Sequence, residues 1–125
     1  MGVKENKALI RNLYEIMNRG DMETAFKFYD PGFIEHLTTG DMTLEQARQL
    51  HARTDVGVVS VTLDHIIAEG DEVAVIVTWR MIQKATGKKH DMTNAHIIKI
   101  SKGKLTEAWS VIDVRTAQLS KPHMD

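Results

Sequence analysis

The sequence has no cysteine and only two prolines. Without thiols there is no disulfide, no thiolate nucleophile and no cysteine-based structural zinc site, a composition suited to a reducing, cytoplasmic compartment. No apolar run approaches the roughly 20 residues that span a bilayer. The N-terminal MGVKENKAL also lacks the hydrophobic stretch of a signal peptide. An excess of either charge is missing too. Sixteen Lys and Arg against seventeen Asp and Glu leave a net charge of -1, which excludes the electrostatic footprint of nucleic acid or of an anionic membrane.

Several chemical signatures are absent as well. There is no GxGxxG or GxSxG, and the KATGKKH loop, with the single Gly87, reads as a solvated hairpin tip and not as a phosphate cradle. His90, Asp91 and His96 lie close in sequence without the spacing of a metal site, and His51, His65 and His123 have no partner at ligand spacing. The expectation is a protein without metal or cofactor, and without a nucleic-acid or membrane partner.

What is present is an ordinary apolar fraction, 42 %, in a chain of 125 residues, enough for one domain with a real core. The domain boundaries expected are a core over about residues 5–118 and a frayed tail over 119–125. Leu9, Ile10, Leu13, Tyr14, Ile16 and Met17 recur at helical spacing over Lys4 to Asn18, and Gly20 suits the left-handed residue after a helix end. Asp21 is placed to cap a second helix, Met22 to Tyr29, which Asp30-Pro31-Gly32 would end. Phe33 to Leu37 reads as a short strand, and TLEQ at Thr43 to Gln46 is a capping box opening a third helix.

Beyond Asp55 the pattern changes to β-branched and alternating runs. Val58 to Ala68, Val73 to Ile82, Met92 to Ile100 and Leu105 to Ile112 read as strands with short connections. Helices first and strands after is an α+β order. Val73, Val75, Val77, Trp79 and Met81 line one face of a strand while Ile76 and Ile82 lie on the other, so one sheet face is expected on the helices and the other on a second subunit.

The stretch from His96 to Asp113, HIIKISKGKLTEAWSVID, is a hairpin with an ionisable group at each end. Together with NKALIRNLYEIMNRGDMETAFKFYDPGFIEH and IIAEGDEVAVIVTW, it resembles the SnoaL-like polyketide cyclases of the nuclear-transport-factor-2-like superfamily. The resemblance implies a conical α+β barrel, a strongly curved antiparallel sheet wrapped around N-terminal helices over an apolar pocket. It also implies a homodimer through the outer sheet face.

For function, the resemblance implies acid/base chemistry on a small apolar carbonyl compound, either an aldol cyclisation or a ketosteroid isomerase-like double-bond shift. It places a general acid/base at Asp113, with His36 at the pocket mouth. The isomerase general base falls near His36 and the isomerase oxyanion-hole acid near His96, both histidine here. The family's histidine before the last-strand tryptophan is Ala108 in this chain.

Asp113 is then either a base in an apolar pocket or the N-cap of a turn over residues 114–119. His96 is either an enolate donor or a buried histidine satisfied by the backbone. Glu35 and His36, adjacent in a strand, point to opposite faces and so form no dyad. Tyr14, Met17, Phe33, Trp79 and Trp109 are the expected pocket walls, and Arg80, on the face opposite Trp79, is a solvated or dimer-face residue. The rival reading is a non-catalytic ligand-binding or dimerisation module of the same fold.

Overall fold

A computed structural model describes residues 2–113. The elements run α1 (Val3–Asn18), α2 (Met22–Phe26), β1 (Tyr29–Leu37), β2 (Gly40–Thr43), α3 (Leu44–His51), β3 (Val56–Glu69), β4 (Glu72–Gln83), β5 (Lys88–Ser101) and β6 (Lys104–Val111). The expected tail over 119–125 and the turn over 114–119 lie outside the described residues.

Local chemistry sets the boundaries. Gly20 adopts a φ of 82° after α1, where a Cβ would be strained. The Asp21 side chain caps α2 by accepting from the Thr24 amide at 3.1 Å. At α3, Thr43 and Gln46 exchange the two bonds of the capping box, at 3.2 and 2.9 Å. Lys102 and Gly103 turn β5 into β6 with φ values of 52° and 75°, the left-handed pair that matches strand twist in a two-residue hairpin.

The six strands form one sheet in the order β2-β1-β6-β5-β4-β3. All neighbouring pairs are antiparallel except β1 and β6, which run parallel. The sheet is therefore mixed, not antiparallel throughout, and it does not close into a barrel. The helix expected over Met22 to Tyr29 ends at Phe26, and Tyr29 opens β1 instead. Pro31 and Gly32 lie within β1, where the register with β6 shifts between Tyr29 and Ile34. A proline without an amide proton is accommodated at such an irregularity. The short β2 gives too few residues for a period-two signal, and sequence reading missed it.

One face of the sheet is covered by the helices. Ile10 and Leu13 of α1, Val73 and Val77 of β4 and Leu105 of β6 are almost fully buried there, with Ala25, Phe26, Val61, Ile98 and Ile100 around them. Each such aliphatic side chain contributes about 1.5–3 kcal/mol by leaving water. Among the described residues, no helix covers the outer face. Across it, Ile67, Ala74, Ile97 and Trp109 stand opposite one another on successive strands, and Ile76, Ala95 and Val111 form a second row. Ile67 and Val111 are 70 % and 61 % exposed, so this apolar face meets solvent in the single chain. Arg80 lies on the same face in a two-bond pair with Asp91, at 2.8 and 3.1 Å. Among the described residues, no helix is long and apolar enough to cross a membrane.

Candidate functional site

Strand alternation sorts the polar residues of β1, β5 and β6 between the two faces. On the helix side, Glu35 of β1, Ser110 of β6 and His96 of β5 come from three neighbouring strands. His96 and Ser110 stand directly opposite in the ladder. Ser110 Oγ donates to Glu35 Oε2 at 2.5 Å, which fixes the serine's single proton. His96 Nδ1, 2.6 Å from Ser110 Oγ, must then be the N–H donor of that pair. The same nitrogen is 3.5 Å from Glu35 Oε2. The result is a relay, His96 N–H to Ser110 O–H to Glu35 carboxylate, that leaves Glu35 Oε1 outside these bonds.

The surroundings make this relay chemically distinctive. The His96 and Glu35 side chains retain 13 % and 15 % exposure, so both are largely withdrawn from water. Burial works to raise the Glu35 carboxyl, but the nearby His96 ring and the bond from Ser110 outweigh it and hold the group below its ordinary value, hence ionised at neutral pH. Burial, reinforced by the nearby Tyr29 and Glu35, pushes the Tyr14 phenol well above its ordinary value, and burial with Glu35 does the same to Tyr29. Both phenols therefore remain O–H donors near a fixed negative charge.

Around them runs a chain of ring contacts. Trp79 meets His51 at 5.6 Å between centroids, His51 meets Phe26 at 5.7 Å, Phe26 meets Tyr29 at 5.9 Å and Tyr29 meets Phe33 at 4.8 Å. His51, exposed on α3, has its imidazole pushed down by the desolvation of its packing, against the pull of Glu35, which leaves it neutral at pH 7. Arg48, three residues earlier, lies over the Phe26 ring at 5.2 Å.

The residues expected at the site fall into three groups. Tyr14, Met17, Phe33 and Trp79 are buried on the helix side, and His96 joins the relay there. His36 and Trp109 are on the opposite, outer face, so neither lines a pocket between sheet and helices. Their rings stack at 5.6 Å with 29° between planes, and His36 is held by Asp41 and Glu107. The parallel pairing of β1 with β6 decides this, because it sets His36 beside Trp109 and turns both away from the helices. Asp113 follows the end of β6. Its backbone amide donates to the side chain of the buried Asn94 at 3.1 Å, and it lines an open depression with Ile76, Thr93, Ala95 and Val111.

Sequence reading weighed Glu35 only as a neighbour of His36 and His51 only as a metal ligand, and it placed neither of them, nor Ser110 or Tyr29, at the site. Alternation placed Glu35 opposite His36, and that signal was sufficient to separate the two faces. Phe33, two residues before Glu35, marks that face as interior, whereas the contact with Ser110 follows only from the β1–β6 pairing, which joins residues 75 apart. Among the described residues, no group of three or more His, Asp or Glu is arranged to hold a metal ion.

Comparison with curated proteins found no match. Among solved structures, AclR from Streptomyces galilaeus superimposes with a TM-score of 0.82 at 22 % identity, over 94 % of this chain and 96 % of that one. IdmH from Streptomyces antibioticus, provisionally assigned as a polyketide cyclase, gives 0.70 at 26 % identity over 93 % and 99 %. An NTF2-like protein from Burkholderia xenovorans LB400 gives 0.72 at 17 % identity over 98 % and 99 %. The structural likenesses show the NTF2-like fold, helices against a curved sheet. The sequence model of the SnoaL-like domain matches residues 10–108, most of the chain. With that match the assignment is made: this protein is a member of the SnoaL-like domain family.

Proposed function

We propose that the protein is an acid/base enzyme acting on a small apolar carbonyl compound, with Glu35 as the base. The observation that carries this reading is the Glu35–Ser110–His96 relay, an ionised carboxylate set among aromatic walls and held by the Ser110 hydroxyl with His96 behind it, which leaves Oε1 outside these bonds. In the proposed step, Glu35 Oε1 takes a proton from the carbon next to a carbonyl. The electron pair of that C–H bond moves into the C–C bond, and the carbonyl oxygen becomes an enolate oxygen. Tyr14 and Tyr29, kept protonated, are the donors proposed for that oxygen. The protonated Glu35 then returns its proton at another carbon, or the enolate carbon attacks a second carbonyl, whose π electrons move onto its oxygen, and that oxygen takes the proton from Glu35.

The first outcome is an isomerisation and the second an aldol cyclisation. The likeness to IdmH favours the second. Asp113 remains proposed as an acid/base group at the end of β6. The aromatic chain from Trp79 to Phe33 favours a flat, apolar substrate.

The partner we propose is a second copy of the same chain, seated on the outer face of Ile67, Ile76, Ile97, Trp109 and Val111. The catalytic reading is tested by incubating the protein with enolisable ketones such as 2-tetralone in deuterium oxide. Deuterium entering the α-position faster than in protein-free buffer supports it, and exchange no faster than buffer across a panel of flat ketones counts against it.

A further inference from the structure

On the outer face, both ring nitrogens of His36 face carboxylate oxygens. Nδ1 is 2.8 Å from Asp41 Oδ1 and Nε2 is 2.6 Å from Glu107 Oε2. A neutral imidazole has one N–H and one lone pair, so it would set that lone pair against an anion at one of these contacts. Only the imidazolium donates to both. Its ring also lies against Trp109, whose face favours a cation.

The three groups come from three strands: His36 from β1, Asp41 from β2 and Glu107 from β6. Among the described residues, the β2–β1 hairpin forms one end of the sheet and joins the rest of it through β6 alone. The ladder between β1 and β6 is irregular between Tyr29 and Ile34, so regular pairing is confined to Ile34 through Leu37. His36 adds side-chain fastenings to this short stretch. Directly behind it, the alternation of the same two strands puts Glu35 on Ser110. Glu35 precedes His36 and Ser110 follows Trp109, so the outer clamp and the inner relay are two faces of one strand pair.

We propose that His36 is a positioning residue: its imidazolium, clamped between Asp41 and Glu107, holds the β1–β2 hairpin on β6 in the register that seats Glu35 on Ser110, and its deprotonation loosens that seat from outside the site. The charged groups facing it are Asp41 from β2 and Glu107 from β6. Lys99 of β5 stands opposite Glu107 in the ladder, and Glu35 lies on the reverse face of β1. The two carboxylates dominate, in keeping with an imidazole raised above its ordinary value by its bonds to Glu107 and then Asp41. The consequence for activity rests on the reading of Glu35 as the base, whereas the link between the two faces does not.

Imidazole NMR signals followed against pH in the full chain test the link without a substrate. The six histidines are told apart with His36→Gln and His96→Asn. In the wild type, the His36 signals titrate above pH 6.5 and the His96 signals inflect at that same midpoint. Glu107→Gln lowers the His36 midpoint and moves the His96 inflection with it. His36→Gln, which keeps a donor but cannot titrate, removes the inflection from His96. The proposal is overturned if His96 passes through the His36 midpoint without inflecting, or if the inflection survives in His36→Gln. Should that variant fail to fold, Glu107→Gln decides alone, since midpoints that do not move together also overturn it. Loss or retention of ketone exchange in Glu35→Gln bears only on the base assignment, so the two readings fail separately.

Discussion

Glu35 and Ser110, 75 positions apart, meet at 2.5 Å across the parallel pair β1 and β6. The contact joins the N-terminal third of the chain to its last strand, and it brings a carboxylate to a histidine of a third strand. The proposed chemistry depends on this seating more than on any single ionisable residue.

Removing the serine hydroxyl should raise the Glu35 carboxyl. Ser110→Ala takes away the hydroxyl bond that helps to offset burial, leaving the desolvation that pushes the group upward. The side-chain carboxyl carbon of Glu35, followed by NMR against pH, should titrate at higher pH in Ser110→Ala than in the wild type. An unchanged midpoint would mean that the hydroxyl does not hold the carboxylate.

Stability should depend on pH through His36 in a defined direction. A histidine raised above its ordinary 6.5 in the folded state contributes stability that is fully present below that value and is lost as pH rises through the folded value. Melting temperature should therefore decline on the alkaline side of pH 6.5 more steeply in the wild type than in His36→Gln. Parallel profiles for the two proteins would contradict the clamp. Glu35 behaves in the opposite sense: lowered in the fold, it contributes above its ordinary 4.5 and the contribution is lost as pH falls through the folded value.

The core itself gives a prediction independent of chemistry. Leu13 of α1 is fully buried among Ile10, Val73 and Val77. Leu13→Ala should cost about 2–5 kcal/mol in denaturant unfolding, from lost transfer energy and a residual cavity. A loss below about 1 kcal/mol would mean that α1 packs loosely on the sheet.

The apolar outer face should pair with a copy of itself. Sedimentation equilibrium should give twice the chain mass for the wild type and the chain mass for Ile97→Asp, because a charge at the centre of the Ile67–Ala74–Ile97–Trp109 row could not be buried unpaired. A monomer for both proteins would leave the face without this partner.

Much of the fold was legible because its signals are local. The capping box at Thr43, the left-handed Gly20 and the runs from Val58 onward each rest on chemistry within a few residues. The helix-facing side of β4 was also readable, since alternation alone separates Val75 and Trp79 from Ile76 and Arg80. The site was less legible. Alternation separated Glu35 from His36 and set Glu35 on the face of the buried Phe33. Its contact with Ser110 was not legible, because it comes from a parallel partner more than 70 residues away. The motif match pointed to His36 and Trp109, neighbours in the ladder whose side chains lie on the outer face. The residues one position away, Glu35 and Ser110, carry the interior contact.

The most direct test of the central claim compares Glu35→Gln with Asp113→Asn in the ketone exchange assay, both checked for native fold by circular dichroism. General base catalysis contributes about 10²–10⁴-fold. Glu35→Gln should lose that much of the rate above buffer, and Asp113→Asn should stay within about tenfold of the wild type. Exchange at the wild-type rate in Glu35→Gln, with the loss appearing in Asp113→Asn instead, would contradict the account.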